Sequence, residues 1–289
     1  MYKRQALSSS TFGLAPLFTL LLLGLGYSSF EVLSYRWGVA SLFLGALALL
    51  AGRSFRLSWP ELRTVFFLSL FRAATSLSLV IAYQHIASGV ASTIHFMYPL
   101  AVALAMMCFF REKGSVWVFA AIGMSIVGAV LLSLGNVDFT RGNTTLGMVS
   151  AAVSVVSYGG YIVGVRKSRA VGIDSTVLTC YVMGLGALYF IAGGLVTGGI
   201  RIETDGTAWL CILGVALPAT AVSNMTLVQA IKRIGPTLTS VFGALEPLTA
   251  VVIGVAVFGE PFTVQGAAGI LLIVAAVTIV ILHSGRRKA

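Results

Sequence analysis

Charge is what this 289-residue chain has least of. Charged side chains make up 10% of it, and only nine are acidic. A soluble domain carries about 25% charged residues, so this chain has too little polar surface to face water. Its hydrophobic fraction of 58% and mean hydropathy of +0.98 make lipid its solvent. Cysteine is scarce too. Cys108, Cys180 and Cys211 lie far apart inside apolar runs, which gives neither a disulfide framework nor a metal-ligand spacing. No GxxxxGK[ST] loop is present, so no ATP engine of that kind is built in. The acids are dispersed as well: only Glu203 and Asp205 lie within three positions of each other, in a polar loop. A polytopic membrane enzyme, such as a lipid-modifying transferase, needs acidic metal ligands or a His/Asp/Ser constellation at the membrane face. The dispersal weighs against an enzyme, and neither a metal nor a cofactor is expected.

What is there is a succession of apolar runs. Ten of them fall at about 6–26, 32–51, 63–86, 89–110, 116–135, 146–165, 175–198, 207–230, 236–258 and 263–283. Runs of this length are helices rather than barrel strands. The breaks between them are short, polar and rich in turn residues, for example REKGS, KRIGP and GEPF. The net charge of +10 does not gather in one patch, so it speaks for membrane orientation rather than for nucleic acid. With the N-terminus placed in the cytoplasm, 15 of the 19 Lys and Arg fall on the inner side and only Arg141 and Arg201 on the outer. Arg36 and Arg72 lie within spans. Basic residues stay inside, so both termini are expected in the cytoplasm of a bacterial inner (plasma) membrane.

Two stretches read in step, 148 residues apart: Leu79–Glu112 and Leu227–Glu260. Without a gap, Leu79/Leu227, Ala82/Ala230, Ile86/Ile234, Ser92/Ser240, Pro99/Pro247, Phe110/Phe258 and Glu112/Glu260 coincide. Five spans in each half is an odd number, so the halves must enter the membrane with opposite orientation. The reading is therefore an all-α integral membrane protein of ten transmembrane helices, built as two inverted five-helix repeats, residues 1–140 and 141–289. The first span aligns more weakly, setting Phe12–Gly13 against Tyr158–Gly159. By that alignment the first span starts late, and Met1–Gln5 (MYKRQ) reads as a clipped or replaced first turn. The alternative is a short span with Lys3 and Arg4 snorkelling to the interface. No cleavable signal-peptide pattern is present.

These features together resemble the drug/metabolite transporter superfamily, and within it EamA-type carriers. The residues that carry the resemblance are Phe12–Gly13 and Tyr158–Gly159, Arg36, Tyr98–Pro99 with Arg111–Glu112, and Glu246–Pro247 with Gly259–Glu260. The family often has Trp–Gly where this chain has Phe–Gly and Tyr–Gly; an aromatic beside glycine is kept. The resemblance implies transport of small organic solutes, often outward: amino acids, other metabolites, drugs.

Several residues are candidates for the transport site. Glu246 lies mid-span, where a carboxylate costs about 2.5–3.5 kcal/mol on insertion scales. It reads either as a protonatable coupling group or as interhelical glue beside the kink at Pro247. Arg72, mid-span and always charged, reads as an anchor for a substrate carboxylate or as the partner of Glu246 in a buried ion pair. Thr75, Ser76 and Tyr83 share its helical face. His95 and Tyr98 share a face of the fourth span, with Tyr98 at the repeat position of Glu246. Phe12 and Tyr158 read as opposite cavity walls, with packing as the alternative, and Asn224 as polar lining or glue. Pro99 and Pro247 are hinge candidates. Arg36, near the outer end of its span, reads as snorkelling to headgroups. Tyr2, Trp37, Trp59, Trp117 and Trp209 read as belt anchors. GxxxG spacings at Gly160/Gly164 and Gly194/Gly198 are expected by chance among 32 glycines and fix no oligomeric state.

The function expected is a secondary transporter, working outward, for small organic metabolites such as amino acids or related compounds. It would work by alternating access around a central cavity between the repeats, with protons or exchange as the driving force. The alternatives are a polytopic membrane enzyme or a channel. The partners expected are a small-molecule substrate, the lipid bilayer and protons, and no nucleic acid.

Overall fold

The computed structural model describes residues 8–86, 88–133, 142–246, 249 and 263–286. Pro247 and Met1–Gln5 lie outside the described residues, as does the second half of the ninth predicted span apart from residue 249. Among the described residues there is no strand. The helices are α1 (Ser8–Gly24), α2 (Ser29–Leu50), α3 (Trp59–His85), α4 (Ser88–His95), α5 (Tyr98–Phe110), α6 (Val116–Ser133), α7 (Thr144–Lys167), α8 (Ser175–Thr197), α9 (Gly206–Ala216), α10 (Ser223–Ile234), α11 (Pro236–Val241) and α12 (Val264–Arg286). Six spans are long and apolar enough to cross a membrane: α2, α3, the pair α4–α5 from Val90, α7, α8 and the pair α9–α10. Three shorter apolar helices, at Ser8–Gly24, Val116–Leu131 and Val264–Ile279, fall at the first, fifth and tenth predicted spans.

The scarce acids find their use at helix starts. Glu31 closes a capping box with Ser28, and Glu61 one with Ser58. Asp174 and Asp205 accept backbone N–H groups at the starts of α8 and α9. Each cap satisfies donors that the first helical turn leaves free, worth about 1 kcal/mol apiece. That use leaves Glu246 as the buried acid in the interior. Gly235, at φ +87°, ends α10 ahead of Pro236; only glycine takes this turn without strain.

The helices pack inside out relative to a soluble protein. Leu42, Phe67, Phe109, Val156, Leu188 and Leu271 face outward, whereas Arg36, Arg72, Ser69, Thr75, His95 and Asn224 are buried. This is the arrangement lipid demands, since an apolar solvent rewards polar groups turned inward. The helix pairs cross between the two parts of the chain: α2 lies on α8, α3 on α7, α1 on α9, α5 on α11, and α6 on α12.

Two expectations fail here. Trp37 is no belt residue: it is fully buried and meets Phe190 edge to face at 5.1 Å. The reason is Gly186, where an added Cβ would lie 2.1 Å from the Trp37 ring. The missing side chain on α8 is the slot that admits the indole. Arg36 does not snorkel. It belongs to the stripe Arg36–Ala40–Leu44–Ala48, buried at every fourth residue of α2, so packing of that face carries its guanidinium inward. Trp59 and Trp117 are exposed at the starts of α3 and α6, where belt residues belong.

Candidate functional site

The interior is organised around Arg72. After α9 the chain passes through a π-helical segment, Leu217–Val222. Pro218 supplies no N–H there, and a wide turn of this kind is frequent at functional sites. Thr220 in that segment donates its hydroxyl to the Val215 carbonyl at 2.7 Å and accepts Arg36 Nε at 2.6 Å. One turn on, Asn224 donates Nδ2 to the Thr220 carbonyl at 2.7 Å. That bond aims its Oδ1 at Arg72, whose Nε donates to it at 2.9 Å. Arg72 Nη1 donates to Ser76 Oγ at 3.1 Å, one turn along α3.

Aromatic rings hold the guanidiniums in place. Arg72 Cζ lies 5.5 Å from the centroid of Phe12, 5.2 Å from that of Tyr158 and 5.8 Å from that of Trp37. Arg36 Cζ lies 5.8 Å from the same Phe12 ring. Contacts of this kind contribute about 2 kcal/mol when desolvated. Among the described residues Arg72 forms no ion pair within 4.0 Å with Glu246. Its hydrogen-bond partners, Asn224 and Ser76, are neutral, and the ion-pair reading is set aside.

Glu246 is held elsewhere. Tyr98 donates its hydroxyl to Glu246 Oε1 at 3.4 Å, and these residues stand 148 apart in sequence. Tyr98 packs edge to face on Tyr158, centroids 4.6 Å apart. Tyr158 stacks on the His95 ring at 5.3 Å. Ser154 donates its one hydroxyl proton to the Ala151 carbonyl at 2.6 Å and meets His95 Nδ1 at 2.8 Å. With that proton on the carbonyl, a neutral His95 donates from Nδ1 and leaves Nε2 as an acceptor. That Nε2 is buried and unpartnered.

Glycine lets these groups come together. A Cβ on Gly243 would lie 1.6 Å from the Tyr98 hydroxyl, and one on Gly13 would lie 2.8 Å from the Glu246 carbonyl oxygen. At Gly159 an added Cβ would make only ordinary contacts of 3.6 Å and more, so the Tyr158–Gly159 pair is not a close-approach site.

All eight candidate cavity residues thus join one cluster: Phe12, Tyr158 and Asn224 touch Arg72; Tyr98 links Tyr158, His95 and Glu246; and Tyr83, three turns along α3 from Arg72, lines the same enclosed space. That space is small, about 20 Å³, enough for about one water molecule. Phe12, Thr19, Arg36, Arg72 and Tyr83 line it, whereas His95, Tyr98, Tyr158, Asn224 and Glu246 do not. Pro99 lies at the start of α5, directly after the break at Phe96–Met97 that separates α4 from α5. Thr19, Thr220 and Ser154 escaped notice in the sequence because isolated hydroxyl residues in apolar helices carry no pattern. Arg36 could have been placed from its four-residue spacing with Ala40, Leu44 and Ala48.

Comparisons with known proteins agree with this architecture. An uncharacterized transporter from Archaeoglobus fulgidus is 25% identical over 238 residues, which is 82% of this chain and 83% of the relative. A crystal structure matches 99% of this chain and 96% of its own with a TM-score of 0.79; at 20% identity that likeness is one of fold. The description of the EamA-like transporter family matches twice, over residues 6–134 and 145–282. Covering nearly the whole chain, these matches show that it belongs to the EamA-like transporter family, within the drug/metabolite transporter superfamily, and is an integral membrane transporter.

Proposed function

We propose that the chain is a ten-span secondary carrier that exports small organic metabolites, amino acids or related compounds, by alternating access. Its two five-span halves, residues 1–140 and 141–289, are inverted relative to each other, and both termini lie in the cytoplasm of a bacterial inner membrane. The observation that carries this reading is the crossing of polar contacts at the centre. Arg36, Arg72 and Tyr98 from the first half donate to Thr220, Asn224 and Glu246 of the second. A substrate seated there touches both halves, which is what rocking of one half against the other requires.

The helix pairing supports the inversion. A two-fold axis that exchanges the halves maps the contact of span two with span seven onto itself, and likewise those of four with nine and five with ten. It maps span three on six onto span eight on one. All of these contacts are present. Span four breaks at Phe96–Met97, and the equivalent stretch of span nine tightens into a 3₁₀ turn at Phe242–Ala244. These paired irregularities support Pro99 and Pro247 as hinges. Glu246, with Tyr98 at its equivalent position, is the candidate proton carrier.

The test is counterflow. Purified protein in proteoliposomes is screened against amino acids, hydroxy and keto acids, sugars, nucleosides and quaternary amines, with and without an imposed pH gradient. Saturable exchange of one class is expected. Equal, non-saturating leakage of all of them would point to a channel, and no flux with any class would sink the carrier reading.

A further inference from the structure

The enclosed space beside Arg72 has more cation than the protein neutralises. Arg36 and Arg72 are both buried and both line it. Their hydrogen-bond partners, Thr220, Asn224 and Ser76, are neutral. Neither forms an ion pair within 4.0 Å among the described residues, and Glu246, held by Tyr98, does not line the space. A guanidinium keeps its charge, and a buried charge without a counter-ion is costly. Two donors at this space also lack any partner among the described residues: Arg36 Nη2 and Thr19 Oγ1. A charged donor and a hydroxyl, both unpaired and both at one narrow space, are complementary to an acceptor-only anion.

The same lining argues against a cation. Among the residues around the space there is no carboxylate, and an ammonium would stand beside two guanidiniums. Phe12, Leu79 and Val80 provide apolar wall beside the guanidiniums. Resting on the reading of this cluster as a transport site, we propose that the space holds the head of a small organic monocarboxylate that lacks an ammonium group. Its carboxylate bridges Arg36 and Arg72 and accepts from Thr19. Of the amino acids and related compounds proposed above, this narrows the cargo to the related hydroxy and keto acids, because zwitterionic α-amino acids bring an ammonium for which the lining has no acceptor of opposite charge.

The experiment uses full-length protein in proteoliposomes and matched probes. Lactate, alanine and lactamide share a carbon skeleton and differ in their charged groups, as do 2-hydroxy-4-methylvalerate, leucine and 2-hydroxy-4-methylvaleramide. Inorganic phosphate is the competing anion. Each carboxylate is expected to compete at least about tenfold better than its amino acid and its amide, since hydrogen bonds to charged groups are the strong ones, and phosphate is expected to compete poorly. Thr19→Val keeps the shape and removes a hydroxyl that bonds nothing among the described residues, so folding yield and Tm should hold while carboxylate affinity falls about tenfold. Arg36→Lys keeps the charge, loses the fork, and should also weaken carboxylates. Equal competition by alanine or lactamide, stronger competition by phosphate, or an unchanged Thr19→Val variant would each overturn the proposal. Saturable flux of amines or sugars alone would overturn it and leave the carrier reading standing. Carboxylate binding that depends on Arg36 without flux would leave the site standing and remove the carrier.

Discussion

Gly243→Ala is the sharpest single test of how the centre is built. The added methyl carbon would stand 1.6 Å from the Tyr98 hydroxyl and 2.8 Å from its ring carbon Cζ, where ordinary contact begins at 3.4 Å. The phenol must therefore move by about 1.8 Å. It has nowhere to go: Tyr98 is 1% exposed, with Tyr158 at 4.6 Å and Phe96 at 5.9 Å between ring centroids. Overpacking of a filled core costs about 1–3 kcal/mol, and any shift of the phenol also disturbs its contact with Glu246. The assay is thermal unfolding of purified protein in one detergent, for Gly243→Ala, Tyr98→Leu and the double variant. Leucine is shorter than the phenol and vacates the space above residue 243. The double variant should therefore recover most of the loss caused by Gly243→Ala, with a coupling energy of about 1 kcal/mol or more. Strict additivity of the two changes, or a neutral Gly243→Ala, would refute the packing described for the Tyr98–Glu246 contact.

Glu246→Gln keeps an acceptor for the Tyr98 hydroxyl but cannot exchange a proton; it should abolish the dependence of transport on a pH gradient while leaving substrate exchange, and unchanged gradient dependence in proteoliposomes would exclude Glu246 as the coupling group. Asn224→Ala leaves Arg72 Nε without its acceptor at 2.9 Å and should destabilise the protein by about 1–3 kcal/mol. Asn224→Asp, in contrast, sets a carboxylate against the guanidinium, and should hold or raise Tm while weakening carboxylate substrates in competition assays. At the outer end, Glu31 Oε1 meets Arg201 Nε at 3.0 Å, with the arginine side chain 43% exposed. Partial solvation limits this pair to about 1 kcal/mol or less, so Glu31→Gln should lower Tm slightly and remove much of its salt dependence, as unfolding scans at low and high salt would show.

The helical, membrane-spanning character of this chain was legible because it rests on bulk properties: run length, hydropathy and the spacing of polar breaks. The central cluster was legible for a related reason. In an apolar chain a mid-span Arg72, Glu246 or Asn224 stands out against its neighbours, and its cost in lipid marks it for the interior. What stayed hidden depends on side-chain direction. Arg36 and Trp37 sit near a span end, where an interface position is the common outcome, but Gly186 opens a slot on the facing helix and draws the indole inside. No reading of one helix alone could find that slot. The ion pair between Arg72 and Glu246 was plausible from depth alone; the fold instead places the Tyr158 ring against Arg72 and gives Glu246 the Tyr98 hydroxyl.

The two halves agree at packing positions and differ across the central polar cluster. At the offset of 148, Leu79/Leu227, Ala82/Ala230 and Ile86/Ile234 are identical pairs of buried or half-buried packing residues. At the same offset, Arg72 stands against Thr220, Ser76 against Asn224, His95 against Gly243, and Tyr98 against Glu246. Each of these unequal pairs belongs to the cluster, and the contacts run across them: Arg72 bonds both Ser76 and Asn224, Tyr98 bonds Glu246, and Tyr98 occupies the space above Gly243. A symmetric pair of arginines or of carboxylates at the axis would oppose like charges in a medium of low dielectric. Dividing the cation, the acid, the amide and the phenol between equivalent positions lets a duplicated scaffold carry a polar centre without that repulsion. It also leaves one guanidinium, that of Arg36, with an unpartnered donor facing the space where a substrate would enter.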